Sequence, residues 1–197
     1  MSYIIVGLGN PGEEYENTRH NTGRIALASF IKEYDLVLEP NKQTKSLMAK
    51  GKVGKESVVV LLPETFMNKS GEAVKPLVTS AKKAETLVVV HDDLDLPIGT
   101  IKMVFNRGSG GHKGVESIMR AAKTEGFLRI KVGVSPTTPG GKLKKPTGEK
   151  VIDFIIGKFK TPELDIMKKK VGKKITEVLE TLCADGRERA TAVANTN

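Results

Sequence analysis

The chain has 197 residues, 39% hydrophobic and 28% charged, which are the values of a globular protein rather than a disordered one. A single cysteine excludes an internal disulfide or a multi-cysteine metal site, and no apolar run approaches the ~20 residues of a membrane helix. The 32 basic against 23 acidic residues give a net charge of +9, a field that attracts polyanions, while 5% aromatic content without tryptophan argues against a base-stacking platform.

The elements alternate along the chain. Tyr3–Leu8 is a short apolar run stopped by glycine and predicts a strand. Thr22–Tyr34 predicts a helix with Ile25, Leu27, Ala28 and Ile31 on one side. Leu47–Val53 and Ser57–Leu62 predict two strands joined by a hairpin at Gly54-Lys55-Glu56. Ser70 is the expected N-cap of a helix carrying Ala73, Val74, Leu77 and Val78, with Pro76 near its start. Thr86–Val90, Thr100–Phe105 and Phe127–Val134 predict strands, and Gly114–Lys123 a helix between the last two. Pro136–Gly148, with three prolines, three glycines and three lysines and no periodicity, predicts a mobile basic loop. One long helix, about 161–184, follows from the stripe Leu164, Met167, Val171, Ile175, Val178 and Leu182. The alternation predicts an α/β fold: a single-domain, three-layer αβα sandwich spanning 1–197 around a twisted, mixed, mostly parallel sheet. Met1-Ser2-Tyr3-Ile4 runs straight into a strand, so no secretory signal is expected, and the lone Cys183 suits a reducing compartment.

Sites in α/β proteins gather at strand ends, and four polar stretches fall there. They are Asn10 to His20, "FMNKSG" at 66–71, "HDDLDLP" at 91–97 and "RGSGGHKG" at 107–114. Each has a plain structural alternative. Asn10 before Pro11-Gly12 is a good turn residue and Asn68 a good helix cap. Asp92 and Asp93 could be solvated loop carboxylates or a metal pair, although no regular ligand spacing links them to a histidine. Gly7-x-Gly9-x-x-Gly12 has the form of a dinucleotide fingerprint. The next predicted helix starts only near Thr22, however, and no acidic residue follows a second strand at the expected place.

Together, "VGLGNPGEEYENTRHNTG", "FMNKSGEAV", "HDDLDLPIG" and "GGHKG" resemble, in order and spacing, the signature blocks of bacterial-type peptidyl-tRNA hydrolases, over nearly the whole chain. The resemblance implies a cytoplasmic, monomeric enzyme without metal or cofactor. Such an enzyme cleaves the ester between a peptide and the 3′-terminal ribose of tRNA, recycling peptidyl-tRNA released from ribosomes. It implies His20 as general base, Asp92 rather than Asp93 as the carboxylate that orients it, and Asn10 and Asn68 as amide donors to the peptidyl carbonyl or the terminal adenosine. These residue types suit the chemistry. Neutral imidazole accepts a proton near pH 7, a carboxylate fixes its tautomer, and amides donate without titrating. Tyr15, Phe66, Met67 and Gly111 match positions lining the substrate channel. The partner implied is peptidyl-tRNA, through its acceptor stem and 3′ CCA end, and not a membrane.

Two departures stand out. The glycine-rich block of the family ends in His-Asn-Gly, and Lys113 stands here in place of the asparagine that helps hold the acceptor end. Of the two basic residues expected to grip the tRNA 5′ phosphate, one matches Lys131, whereas the other position holds Val104, leaving Lys102 or Arg107 as substitutes. They keep open an RNA-binding relative that has lost hydrolysis, and an unrelated esterase with a small substrate.

Overall fold

The computed structural model describes residues 2–196. Seven strands form one sheet: β1 (Ser2–Gly7), β2 (Glu39–Asn41), β3 (Ser46–Val53), β4 (Glu56–Pro63), β5 (Leu87–Pro97), β6 (Ile101–Phe105) and β7 (Leu128–Ser135). Their spatial order is β2-β3-β4-β1-β5-β7-β6. The central strands β4, β1, β5 and β7 are parallel, and both margins are antiparallel. Sequence explains the division. The centre is made of runs such as Ile4-Ile5-Val6 and Leu87-Val88-Val89-Val90, apolar on consecutive residues and therefore suited to burial on both faces. In β3 buried positions are interrupted by exposed ones, as fits a strand towards the sheet's edge. Val53 pairs with Glu56, which places the expected hairpin turn at Gly54-Lys55.

Helices cover both faces. On one lie α1 (Thr22–Glu33), α7 (Gly172–Asp185) and α8 (Arg187–Asn195), packed on Ile5, Val88, Val90, Ile130 and Val132. On the other lie the short α2 (Gly71–Val74) and α3 (Ala81–Ala84) and the longer α4 (Lys113–Ala122), over Ile4, Val6, Leu87 and Val89. The result is the expected three-layer α/β architecture. Two further short helices, α5 (Lys150–Ile156) and α6 (Thr161–Asp165), follow the basic loop.

Several local expectations change. "HDDLDLP" is not a loop after a strand but part of β5, which continues to Pro97 with a register shift between Asp93 and Pro97. The helix at Ser70 is a single turn. Ser70 spends its hydroxyl on the carbonyl of Met67 instead of capping, and Pro76 cannot supply the N–H that a longer helix needs. The C-terminal stripe is buried as expected from Met167 to Leu182, but the helix is not uniform. Residues Ile166–Val171 form a π-helical turn between α6 and α7, and the Ser29 hydroxyl donates to the carbonyl of Lys168 there, at 3.1 Å. After β1 come two 3₁₀ turns, at 13–15 and 19–21, before α1 begins. The glycines of the apparent dinucleotide fingerprint therefore do not open directly into a helix, as that motif requires.

Gly23 explains how α1 reaches the strand ends. A Cβ at this position would overlap the carbonyl of Val90 and the backbone of Leu8. Only glycine lets the first turn of α1 touch the end of β1 and β5 at Val90, which brings His20 over β5. Gly23→Ala should therefore destabilise the protein by about 1–3 kcal/mol, read as a lowered urea midpoint. A wild-type midpoint would show that α1 can shift freely.

Candidate active site

The carboxylate of Asp92, near the point where β5 passes the end of β1, is buried and accepts hydrogen bonds from two imidazoles. His20 reaches it from the 3₁₀ turn before α1, with Nδ1 at 3.0 and 3.1 Å from the two carboxylate oxygens. His112 reaches it from the start of α4, with Nε2 at 2.9 Å from Oδ1. The tautomers follow from the partners. Nδ1 of His112 accepts from the backbone N–H groups of Gly114 and Val115, at 3.2 and 3.3 Å, capping α4. That nitrogen therefore has no proton, and Nε2–H donates to Asp92. His20 donates through Nδ1, leaving Nε2 as its basic lone pair.

His91 completes the cluster. Its Nδ1–H donates to the carbonyl of Asp92 at 2.8 Å, and its ring stands edge-on to that of His112 at 4.7 Å. Burial, then the neighbouring His112, pushes the His91 imidazole well below its ordinary range, so it stays neutral. Burial also pulls His20 down, but the charge and hydrogen bond of Asp92 outweigh it and leave His20 above its ordinary value. Burial pushes the Asp92 carboxyl up, and His20 and His112 together outweigh that and hold it well below the usual carboxylate range. The donor atoms of His20, Asp92 and His112 lie within 4.8 Å of one another, a set that could also hold a divalent ion once both ring protons were displaced.

Asn10 is held from both sides. Its N–H donates to Oδ1 of Asn21 at 2.8 Å, and its carbonyl accepts from Nδ2 of Asn21 at 2.9 Å. Its own Oδ1 accepts from the N–H of Met67 at 2.8 Å. Since the backbone donor must meet an oxygen, the Asn10 amide has only one orientation, with its NH₂ group left to donate elsewhere. The same bond ties Asn10 to the 3₁₀ turn Met67–Lys69, on which Asn68 is exposed.

Comparisons with known proteins place the chain in a family. A family model described as peptidyl-tRNA hydrolase matches residues 4–197. The chain belongs to the peptidyl-tRNA hydrolase family. It is 40% identical over 162 residues to the peptidyl-tRNA hydrolase of Bacillus anthracis, covering 82% of each chain. It is 37% identical to that of Herpetosiphon aurantiacus over 98% of this chain and 90% of the relative. The crystal structure of peptidyl-tRNA hydrolase from Acinetobacter baumannii superposes with a TM-score of 0.85 at 28% identity, covering 98% of this chain and 94% of the other.

The positions carried over from the peptidyl-tRNA hydrolase pattern fall into three groups. His20 and Asp92 are bonded to each other, and Asn10 is tied to the His20 turn through Asn21, with Met67 buried beside it. Tyr15 stacks edge-on against Phe66 with centroids 6.3 Å apart, and Phe66 is left 59% exposed, an open aromatic face near Asn68. Gly111 turns the chain with φ of 84° just before His112. The basic residues separate from this centre. Lys131 and Lys102 are direct cross-strand partners on β7 and β6, and so share a sheet face. Lys131 is ion-paired with Asp93, which gives the second aspartate a different task from Asp92. Arg107 is exposed, and its carbonyl accepts from the guanidinium of Arg129 at 2.8 Å. Lys113 points into solvent and pairs with Glu116 at 3.2 Å, the geometry of a solvated helix-start lysine. Lys145 of the basic loop is ion-paired with Asp95.

Sequence reasoning missed His112, Asn21 and Arg19. His112 and Asn21 lie inside the motifs, but their partners are 20 and 11 residues away, beyond any local pattern. Arg19 fixes the His20 turn by donating to the carbonyls of Phe154 and Gly157, pairing with Glu163 at 3.1 Å and lying 4.4 Å over the Phe154 ring.

The geometry sets the pH dependence. A base is lost on protonation, so the raised His20 should put the acid limb of kcat/KM above 6.5, its ordinary value. Asp92→Asn removes both upward influences while burial remains, so the limb should move below 6.5 and turnover should fall by roughly 10²–10⁴. An unmoved limb in Asp92→Asn would show that another group titrates. His112→Ala, which strips one donor from a buried carboxylate, should cost about 10–10² in kcat.

Proposed function

We propose that this chain hydrolyses the ester joining a peptide, or an N-blocked aminoacyl group, to the 3′-terminal ribose of tRNA, and so recycles peptidyl-tRNA released from ribosomes. One observation carries the reading: within a peptidyl-tRNA hydrolase frame, His20 is held by Asp92 through Nδ1 with Nε2 left as a base. In this mechanism Nε2 takes a proton from water, and the hydroxide attacks the ester carbonyl carbon. Asp92 stabilises the imidazolium that forms. The fixed NH₂ of Asn10 and the exposed amide of Asn68 are the donors available to the developing oxyanion or to the terminal nucleotide. Collapse of the intermediate expels the ribose oxygen, which takes the proton back from His20. Every group in this scheme comes from one chain, so a monomer suffices. The substrate places the reaction in the cytoplasm. Among the described residues no helix is long and apolar enough to cross a membrane.

Recognition of the acceptor stem falls to phosphate contacts. Lys102 beside Lys131 is the pairing this reading favours for the 5′ phosphate, because like charges directly opposite on a sheet gain when an anion sits between them. Val104 lies opposite Arg129 instead. Arg107 and the exposed loop lysines 142, 144 and 145 are further candidates for phosphate contacts.

The deciding experiment compares release from N-acyl-aminoacyl-tRNA and from unblocked aminoacyl-tRNA. Cleavage of the first only is expected, and His20→Ala should reduce it by roughly 10²–10⁴ with tRNA affinity nearly unchanged. Binding of tRNA without release would identify a non-hydrolytic relative. Lys131→Ala should raise KM more than it lowers kcat and reduce the salt slope of log affinity by about 0.7–0.9, the value of one phosphate contact. An unchanged slope removes Lys131 from the tRNA face.

A further inference from the structure

We propose that Arg19 is a positioning residue: through its side chain, the seating of α5 controls how firmly the neighbouring His20 is held against Asp92. The inference rests on the reading of His20 as the base. It gives α5 a part in the reaction although, among the described residues, no hydrogen bond joins α5 to His20 or Asp92.

Little else holds α5. None of its seven residues is buried, and Ile152 and Ile156, one turn apart, are 63% and 45% exposed. Among the described residues, the one hydrogen bond that reaches α5 from a distant part of the chain comes from Arg19, whose Nη1 donates to the carbonyl of Phe154 at 3.3 Å. The same nitrogen donates to the carbonyl of Gly157, just past the helix, also at 3.3 Å. A positive charge thus sits at the negative end of the helix. The Phe154 ring covers the face of the guanidinium, with 4.4 Å between the guanidinium carbon and the ring centroid. Nη2 pairs with Glu163 of α6 at 3.1 Å. Carbonyls, carboxylate and ring are served by one planar fork, which a lysine cannot reproduce.

The backbone carries this grip to His20. The N–H of Arg19 donates to the carbonyl of Gly157 at 3.1 Å, the N–H of Phe159 donates to the carbonyl of Asn17 at 2.9 Å, and Thr18 and Lys158 form an antiparallel bridge. The turn bearing His20 therefore starts on a short paired patch whose other half is the chain leaving α5. The charged and titratable groups that face the imidazole are Asp92 from β5 and His112 from the start of α4. The charge of Arg19 is met by Glu163 instead. A base displaced by a fraction of an ångström loses the alignment on which proton transfer depends. In the proposed reaction, contact of the substrate with α5, or with the basic loop leading into it, reaches the base through this one side chain.

The test uses the full chain and reads kcat and KM on N-acyl-aminoacyl-tRNA together with the titration of His20 by NMR. Arg19→Met should lower kcat by about tenfold or more while KM stays within about twofold. It should also lower the His20 midpoint, because Asp92 is what holds that midpoint above 6.5 against burial. Phe154→Ala, which removes only the ring against the guanidinium, should move both in the same direction by less. Arg19→Lys should fall between Arg19→Met and wild type. A wild-type kcat and midpoint in folded Arg19→Met overturns the proposal. So does a midpoint that rises, which would make Arg19 a bare charge acting through space. A KM raised about tenfold with kcat unchanged overturns it too, by making Arg19 a substrate contact. Should Arg19→Met fail to fold, Phe154→Ala and Arg19→Lys decide, and an unchanged kcat and midpoint in both overturns the proposal. If the wild-type chain releases nothing from the tRNA, the proposed function fails, and the His20 midpoint still tests the positioning.

Discussion

A buried carboxylate must be paid for by donors, and the organisation of this molecule around Asp92 follows from that requirement. Asp92 is almost wholly removed from water and takes its hydrogen bonds from His20 and His112. Removing one partner of such a group costs far more than the bond itself, because the charge is left unsatisfied. The two imidazoles arrive from opposite faces of the sheet, one from the turn before α1 and the other from the cap of α4. The carboxylate thus joins both helical layers at the same strand end. Close packing on each side is a condition of this. Gly23 admits α1, and Gly114, where a Cβ would run into Met67 and Leu8, admits α4.

The Asn10 bracket shares this logic without a charge. Asn21 lies next to His20 in sequence and clamps the backbone of Asn10, while the Asn10 side chain clamps the backbone of Met67. His20 and Asn10 are therefore referenced to one another through a single residue, and the turn bearing Asn68 is referenced to Asn10. Arg19, on the other side of His20, ties the same turn to α5 and α6. Three consecutive residues of the 3₁₀ turn thus hold three different parts of the protein in place.

Much of this was legible in the sequence, for definable reasons. The strands and longer helices follow from runs and periodicities that burial enforces, and the turn at Gly54-Lys55 from its glycine. His20, Asp92 and Asn10 stand in motifs specific enough to be recognised; His20 is bonded to Asp92, and Asn10 to Asn21 beside His20. The errors arise where distant contacts override local preference. "HDDLDLP" is polar and reads as loop, yet Asp92 and Asp93 are buried because the imidazoles of His20 and His112 and the ammonium of Lys131 satisfy them. Ser70 has the identity of a cap but serves the turn behind it. Lys113 stands where the family has asparagine, and its geometry here is that of a surface ion pair. The capping of α4 by a histidine has no sequence signature, since histidine is not among the usual cap residues.

The strand order carries a consequence for how the chain is made. In space β7 lies between β5 and β6, but in sequence β6 precedes it. As the protein emerges from the ribosome, β6 has no neighbour to pair with until β7 has been synthesised and has seated against β5. His112 lies in the connection between these two strands. The pieces contributed by β1, α1 and β5 can be in register while the second donor to Asp92 is still waiting for its anchor. The second donor to Asp92 has no anchor before residue 135 is made, and the contacts of Arg19 that fix the first come later still, with residues 154–163.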